Sequence, residues 1–277
     1  MKELLDNPFF QSGIAPFLVS LILAAVLRKT RFVGLAVGAG FLVLVALALD
    51  FSFESLTATR KMVIAGTVAV LLIIPLELFT ARASERVTTG VLTGVSLLAA
   101  AAAVWTVLRI LQYQESGAWK AALAVVIYMA ALVGSSAVVS RDTVRGGSTA
   151  LLLGLGGGVL AWGGASALLS QVGIAVGAAA GGALLIQMIT GQRAPTGWTL
   201  ALPASVVTGL ISIIGVATGE LRWYFLLPTL LIPWATRFVD TGRRPLWVNA
   251  FLTSLAALVP VLLAVAWEWA LRTPSAP

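Results

Sequence analysis

Glu77 is the carboxylate that lies deepest within a long apolar stretch of this sequence, in the segment IIPLELFTAR. A charge at the centre of a bilayer costs about 3 kcal/mol or more, so an acid in such a stretch is a candidate for ion coupling or ligand binding. Arg82 and Arg86 follow closely, and a carboxylate that snorkels toward the membrane surface would pair with them. The sequence therefore predicts either a functional acid or a structural one at this position.

Arg60 and Lys61 point to a second chemistry, the binding of anions. They stand in the segment LTATRKM at the start of an apolar stretch, and we expect them to face Asp50 and Glu54. Helix N-termini and cations both favour anions, so this pair is a candidate clamp for an anionic headgroup or substrate. Ordinary anchoring of cations at the membrane interface explains the same pattern.

Gln187 and Asn249 are polar side chains inside other apolar stretches. Polar groups in a membrane tend to face the interior of a bundle, so both are candidates for lining a cavity.

The residue types of most enzymes and cofactor sites are missing from this chain. The sequence has no Cys and no His, which removes thiol nucleophiles, the commonest general base and the usual ligands of haem and zinc. Paired-acid catalysis would need a second convergent carboxylate beside Glu77. We therefore expect no enzymatic activity, no cofactor and no metal site.

The net charge of +7 comes from scattered basic residues that form no continuous patch, so nucleic acid is not an expected partner either.

Long apolar stretches must position these candidate residues. Hydrophobic residues make up 59% of the 277 positions and charged residues only 10%, and the apolar runs have the length of membrane-spanning helices. The sequence predicts an all-α, polytopic transmembrane bundle with short loops and the lipid bilayer as its first partner. The ten predicted spans are 9–27, 32–49, 62–80, 87–108, 119–139, 147–169, 172–190, 198–218, 223–238 and 246–270. Only Ser170 and Gln171 separate the sixth span from the seventh, so a nine-span interpretation stays open.

The distribution of charge predicts the orientation of the spans. Of the 18 Lys and Arg residues, eleven lie in loops after odd-numbered spans and seven lie on the other side. The positive-inside rule then places the odd loops in the cytoplasm and both termini on the outer, periplasmic side. Tryptophans support the span limits because indole rings prefer the membrane interface, with Trp162 alone falling in mid-span.

Glycines in the sixth and seventh spans predict close helix packing. The run GLGGG lacks the preceding strand and the Lys-Ser/Thr ending of a phosphate-binding loop. Gly173, Gly177 and Gly181 recur every four residues and form one smooth stripe along a helix. We expect this stripe to serve a contact within the bundle, with a contact to another protein as the alternative.

Two functions fit these features. The first is a non-catalytic accessory or scaffold subunit that packs within a larger membrane complex, because the chain offers short loops, few intramembrane charges and small-residue stripes. The stretches NPFFQSGIAPFLVSL and LTATRKMV resemble multi-span bacterial membrane proteins, which implies a location in the bacterial inner membrane.

The alternative is a small secondary transporter or permease. In size and span count the chain resembles the drug/metabolite transporter superfamily, which implies two inverted five-helix halves, here 1–145 and 146–277, with a polar cavity between them. The chain shows no internal sequence repeat, and the predicted outer termini differ from the cytoplasmic termini that the resemblance implies. We treat residues 1–277 as one membrane domain.

Overall fold

The computed structural model describes residues 7–49, 56–113, 117–164, 166–194, 198–242 and 244–272. The secondary structure of these residues is helical, with turns between the helices and no strand. Nine of the described helices are long and apolar enough to cross a membrane. The protein is therefore a multi-span helical membrane protein, as the composition predicts.

Ten helices follow one another along the part of the chain that the structure describes. Their bounds are α1 Phe10–Leu27, α2 Arg31–Ala48, α3 Ala58–Thr80, α4 Glu85–Gln112, α5 Ala118–Val139, α6 Thr143–Gly164, α7 Ala167–Thr190, α8 Trp198–Ala217, α9 Leu226–Ala235 and α10 Leu246–Arg272.

Short polar residues set where the helices begin. The hydroxyls of Thr57 and Ser84 accept hydrogen bonds from backbone N–H groups in the first turns of α3 and α4, and Ser166 does the same for α7. Gly191 ends α7 in the left-handed conformation, at φ +64°, which turns the chain toward Arg193.

The helices α6 and α7 are separate, but their boundary differs from the predicted one. The break falls between Gly164 and Ala167, whereas Ser170 and Gln171 lie inside α7. Hydropathy alone cannot place such a break, because the N-cap hydroxyl of Ser166, 3.3 Å from the backbone nitrogen of Leu168, starts the new helix within an apolar run. The earlier end of α6 also moves Trp162 into its last turn, so its predicted mid-span position is wrong.

The predicted ninth span is the short helix of the bundle. Its α-helical part is Leu226–Ala235, and a 3₁₀ turn extends it on each side, at Trp223–Phe225 and Thr236–Phe238. Because 3₁₀ turns rise about 2 Å per residue against 1.5 Å in an α-helix, these 16 residues reach about 27 Å. The number of membrane crossings, ten in the prediction, depends on this unit.

Helix α8 occupies the centre of the bundle. A ring of six helices surrounds it, in the order α2, α3, α4, α5, α6 and α7, and α7 closes the ring against α2. Helix α1 packs outside the ring on α2 and α7, while α9 and α10 pack together on α5, α6 and α7. The packed core therefore lies along α8, and 89% of that helix is buried. The predicted orientation and the two-half division stay predictions, because residues 1–6 and 273–277 lie outside the described residues.

Candidate functional site

The polar side chains of α8 point into the bundle. Thr199, Ser205 and Thr208 are fully buried, and Ser212 is 5% exposed. Ser205, Thr208 and Ser212 follow one another at three- and four-residue intervals, so these three share a face of the helix. The Ser205 hydroxyl donates to the backbone carbonyl of Leu202, 3.0 Å away in its own helix.

Tyr128 of α5 makes the central side-chain hydrogen bond of this region. Its phenol lies 2.8 Å from the Thr229 hydroxyl of α9, and Ser212 of α8 is a second hydrogen-bonding neighbour. Thr229 also donates to the backbone carbonyl of Leu226, 2.7 Å away, which leaves the phenol as the donor to Thr229. One buried cluster thus links α5, α8 and α9.

The predicted glycine stripe lies in the contact between α6 and α7. A Cβ added at Gly173 would stand 2.4 Å from the backbone nitrogen of Gly158, and one at Gly177 would stand 2.7 Å from the backbone nitrogen of Leu155. No side chain fits at such distances, so the two backbones approach as only glycine allows. Gly181 differs, because a Cβ there would meet Leu151 at an ordinary 3.5 Å.

Three connections between helices meet in a polar clasp, which we define as Asp142, Arg193, Thr241, Asn249 and Arg145. Asp142 begins α6: one carboxylate oxygen accepts from the backbone nitrogens of Val144 and Arg145 at 2.8 and 3.2 Å. Its other oxygen accepts from the Thr241 hydroxyl at 2.8 Å and pairs with the Arg193 guanidinium at 3.4 Å.

The rest of the clasp fixes the loop before α10. Arg193 also donates to the Thr241 carbonyl, and the Asn249 amide donates to the carbonyls of Thr241 and Arg244, at 2.9 Å each. Arg145 donates to the Val239 carbonyl at 3.1 Å. The structure thus places Asn249 in a loop contact at the start of α10, where its amide group stabilises backbone.

Glu77 is buried in the last turns of α3, with 0% exposure. The choice between a structural and a functional acid at Glu77 stays a prediction. Helix α3 contacts the turn Arg31–Val33 that begins α2.

Arg60 and Lys61 lie in the first turn of α3 with different surroundings. Arg60 has its backbone nitrogen 3.3 Å from the capping hydroxyl of Thr57. Lys61 is only 7% exposed; its ammonium donates to the Trp105 carbonyl at 2.9 Å and lies 5.1 Å from the centroid of that indole ring. The predicted opposing acids, Asp50 and Glu54, lie outside the described residues.

Gln187 lies near the end of α7 with 3% exposure, and neither its amide oxygen nor its amide nitrogen has a hydrogen-bond partner in the structure. Three other buried groups also lack a hydrogen-bond partner among the described residues: the hydroxyls of Thr208 and Thr253 and the amide oxygen of Asn249. Gln187 and Asn249 were predicted from their polarity in apolar stretches, and both are buried.

Sequence reasoning missed the clasp and Tyr128. Asp142 stands directly before α6, and an Asp before a helical run is an N-cap signal, so that signal was available. Arg145 and Arg193 counted only as topology charges, because nothing in the sequence shows that three separate loops meet. Tyr128 gave no signal, since a lone Tyr in a span is usual.

The described residues show a packed polar interior and a clasp between loops, without a cluster of three Asp or Glu side chains that would hold a metal ion. No family model, curated protein or solved structure matches this chain. The function is therefore argued from the geometry alone.

Proposed function

We propose that this chain is a non-catalytic accessory or scaffold subunit of a larger membrane complex in the bacterial inner membrane. The observation that carries the proposal is the position of α8. A helix, rather than a cavity, fills the middle of the ring, and 89% of that helix is buried. A bundle with a filled centre works through its surfaces.

The membrane-facing side of α4 supports a protein partner. Thr89, Gly90 and Thr93 are exposed on one face, and a Cβ added at Gly90 or Gly94 would meet nothing within 4 Å. The Thr89 and Thr93 hydroxyls donate to the backbone carbonyls of Glu85 and Thr89, at 2.9 and 3.0 Å. Their hydrogen bonding is therefore complete within α4, and the small side chains leave a smooth surface. Small residues at four-residue spacing are typical of helix–helix contacts in membranes. We name this surface, residues Thr89, Gly90, Thr93 and Gly94, the α4 face.

Site-directed cross-linking in native membranes tests the proposal. The chain has no native Cys, so Thr93→Cys on the α4 face and Leu263→Cys on an exposed side of α10 can each carry a thiol-reactive photo-crosslinker. We expect a discrete heterologous product from position 93 only, and its loss in the double variant Thr93→Cys with Gly90→Leu.

The control for this experiment shows that the Gly90→Leu protein is still folded. Gly90→Leu places its side chain in open space, so the variant is expected to purify and unfold like the native protein. Equal labelling at positions 93 and 263, or a product that survives Gly90→Leu in a folded protein, would count against a partner on the α4 face.

A small transporter is the second candidate, and the buried polar atoms favour it. The Gln187 amide and the hydroxyls of Thr208 and Thr253 are side-chain groups of α7, α8 and α10 that have no hydrogen-bond partner among the described residues. Such groups are costly in a dry interior, whereas a substrate or water in an opened state would pair with them. Gln187→Leu distinguishes the two functions: it abolishes uptake by cells that express a transporter and leaves complex assembly intact for a subunit.

A further inference from the structure

An open apolar cleft of about 180 Å³ lies between α3 and α4. Ala65, Val68 and Leu72 line it from α3, Leu98, Ala102 and Trp105 line it from α4, and residues of α8 form its floor. We name this groove the α3–α4 cleft. Its walls are aliphatic apart from one indole ring, and α3 and α4 both belong to the ring of helices that faces outward, so hydrocarbon chains are its natural contents.

Both walls of the cleft end in a cation. Lys61 lies four and seven residues before Ala65 and Val68, on the same face of α3. Arg109 lies four residues after Trp105, on the same face of α4, and is exposed. Because α3 and α4 are antiparallel, these two cations stand at the same end of the cleft, and the contact between Lys61 and Trp105 joins the two walls there.

Lys61 has the surroundings of a ligand-binding cation. Among the described residues, no carboxylate oxygen forms an ion pair with its ammonium. The ammonium carries three protons, and one of them is donated to the Trp105 carbonyl at 2.9 Å. A cation that is only 7% exposed needs compensating negative charge. An anchoring lysine would instead extend toward water, whereas Lys61 is held against the cleft wall.

We propose that the α3–α4 cleft binds an anionic phospholipid, with one acyl chain between the two helices and the phosphate against Lys61 and Arg109. The N-terminal end of α3 adds favourable electrostatics, because its first-turn N–H groups and the helix dipole both attract an anion. The headgroup charge and the chain are recognised by different parts of the same site, so they can be tested separately.

Native mass spectrometry of the purified full chain, released from neutral detergent, measures this binding. The probes are dioleoyl phosphatidylglycerol, which is anionic, and dioleoyl phosphatidylcholine, which is not. We expect Lys61→Gln to weaken phosphatidylglycerol binding about tenfold and phosphatidylcholine binding less, because the choline cation already offsets the charge of its phosphate. Ala102→Leu fills the cleft without changing any charge, so it is expected to weaken the binding of both lipids.

Lys120→Gln is the matched control, because Lys120 also lies over an indole ring, 5.7 Å from the centroid of Trp119, but is exposed and belongs to α5, whereas the cleft is lined by α3, α4 and α8. It is expected to bind both lipids as the native chain does. Equal losses in the Lys61 and Lys120 variants would reduce the effect to general surface charge and overturn the proposal. Unchanged lipid binding by a folded Ala102→Leu protein would overturn it as well, whatever the charge variants show.

Discussion

Helices α4 and α8 have the same hydropathy and opposite positions in the bundle. The most apolar window of each has a mean hydropathy of 2.1, yet 39% of that window is buried in α4 and 89% in α8. In water such equal hydropathy would predict equal burial. In a bilayer, lipid tails are as apolar as leucine, so hydropathy does not sort helices between centre and edge.

Hydrogen bonding and shape separate the two helices instead. On α8 the hydroxyls of Thr199, Ser205 and Thr208 are buried in the bundle. On α4 the exposed hydroxyls of Thr89 and Thr93 each bond to the backbone of their own helix, four residues earlier, and so need no neighbour. On α8 Ser205 also bonds to its own helix, at the Leu202 carbonyl, whereas Ser212 has a hydrogen-bonding neighbour on another helix, the Tyr128 phenol of α5. Pairing across helices is therefore available to α8 at Ser212, and the exposed face of α4 satisfies its hydroxyls by itself and can face lipid.

The largest expected difference in the free energy of unfolding between interior and edge comes from Gly→Ala substitutions, each of which adds one methyl group. Gly173→Ala puts a Cβ 2.4 Å from the backbone nitrogen of Gly158, so the helices α6 and α7 must separate. Overpacking of this kind costs about 3 kcal/mol or more when backbone, not a side chain, is in the way. The measurement is equilibrium unfolding in mixed micelles titrated with a denaturing detergent.

Gly94→Ala on α4 is the control for that methyl, because its Cβ meets nothing within 4 Å. It should leave the free energy of unfolding unchanged or raise it slightly, since Ala favours a helix over Gly. Similar costs for the two variants would mean that α6 and α7 do not approach as closely as the structure places them.

A direct exchange of leucine for alanine compares α8 with α4. Leu210 in α8 has 0% exposure, and its truncation is expected to lower the free energy of unfolding by about 2 to 3 kcal/mol through lost packing. Leu97 in α4 is 56% exposed, so much of its side chain touches lipid and Leu97→Ala removes little packing within the protein. Its expected effect is under about 0.5 kcal/mol. The same unfolding titration measures both, and equal effects would place α4 in an interface or α8 outside the centre.

Much of the architecture follows from the sequence, whereas the arrangement of its helices does not. Run lengths predict where nine long helices lie among the described residues, because a bilayer fixes both their length and their backbone hydrogen bonding. The position of α8 depends on how helices of equal hydropathy pack against one another, and hydropathy carries no such information. Glycine spacing predicts a smooth stripe at Gly173 and Gly177, but only the structure shows that α6 covers it.

The candidate polar residues show the same division. Glu77, Gln187 and Asn249 are buried, as polar residues within apolar runs are expected to be. The partners of Asp142 could not be predicted, because Arg193 and Thr241 lie 51 and 99 residues away in sequence. Local sequence signals predict that Asp142 caps α6, but they cannot predict the clasp, because its other members come from distant loops.

Asp142→Asn is expected to have a smaller effect than the packing variants. The amide keeps one oxygen for capping α6 but presents an NH₂ group to the donors of Arg193 and Thr241. Since Asp142 is partly buried, we expect a loss of about 1 to 2 kcal/mol in the free energy of unfolding. Its control is Glu85→Gln at the start of α4, which breaks the Arg141–Glu85 pair of 3.0 Å.

Both partners of that control pair are largely exposed, so its loss should cost under about 0.5 kcal/mol. Proteolysis between α9 and α10 gives a second measurement: Asp142→Asn should speed cleavage of this loop and Glu85→Gln should not. If the two variants unfold and are cleaved alike, the clasp does not fix the loop.

The smallest expected effect is that of Tyr128→Phe, which removes one hydroxyl from the cluster that links α5, α8 and α9. The lost bond to Thr229 is 2.8 Å long, and hydrogen bonds between membrane helices contribute about 0.6 kcal/mol on average and about 1.7 kcal/mol at most. Because the phenol is buried and Thr229 keeps its bond to the Leu226 carbonyl, we expect a loss of about 0.5 to 1 kcal/mol, measured by the same titration. Tyr113→Phe, at the end of α4 with 87% exposure, should have no measurable effect. A Tyr128→Phe protein as stable as its Tyr113→Phe control would show that hydroxyls do not hold α8 at the centre, and packing alone would then have to explain why two helices of equal hydropathy are buried so differently.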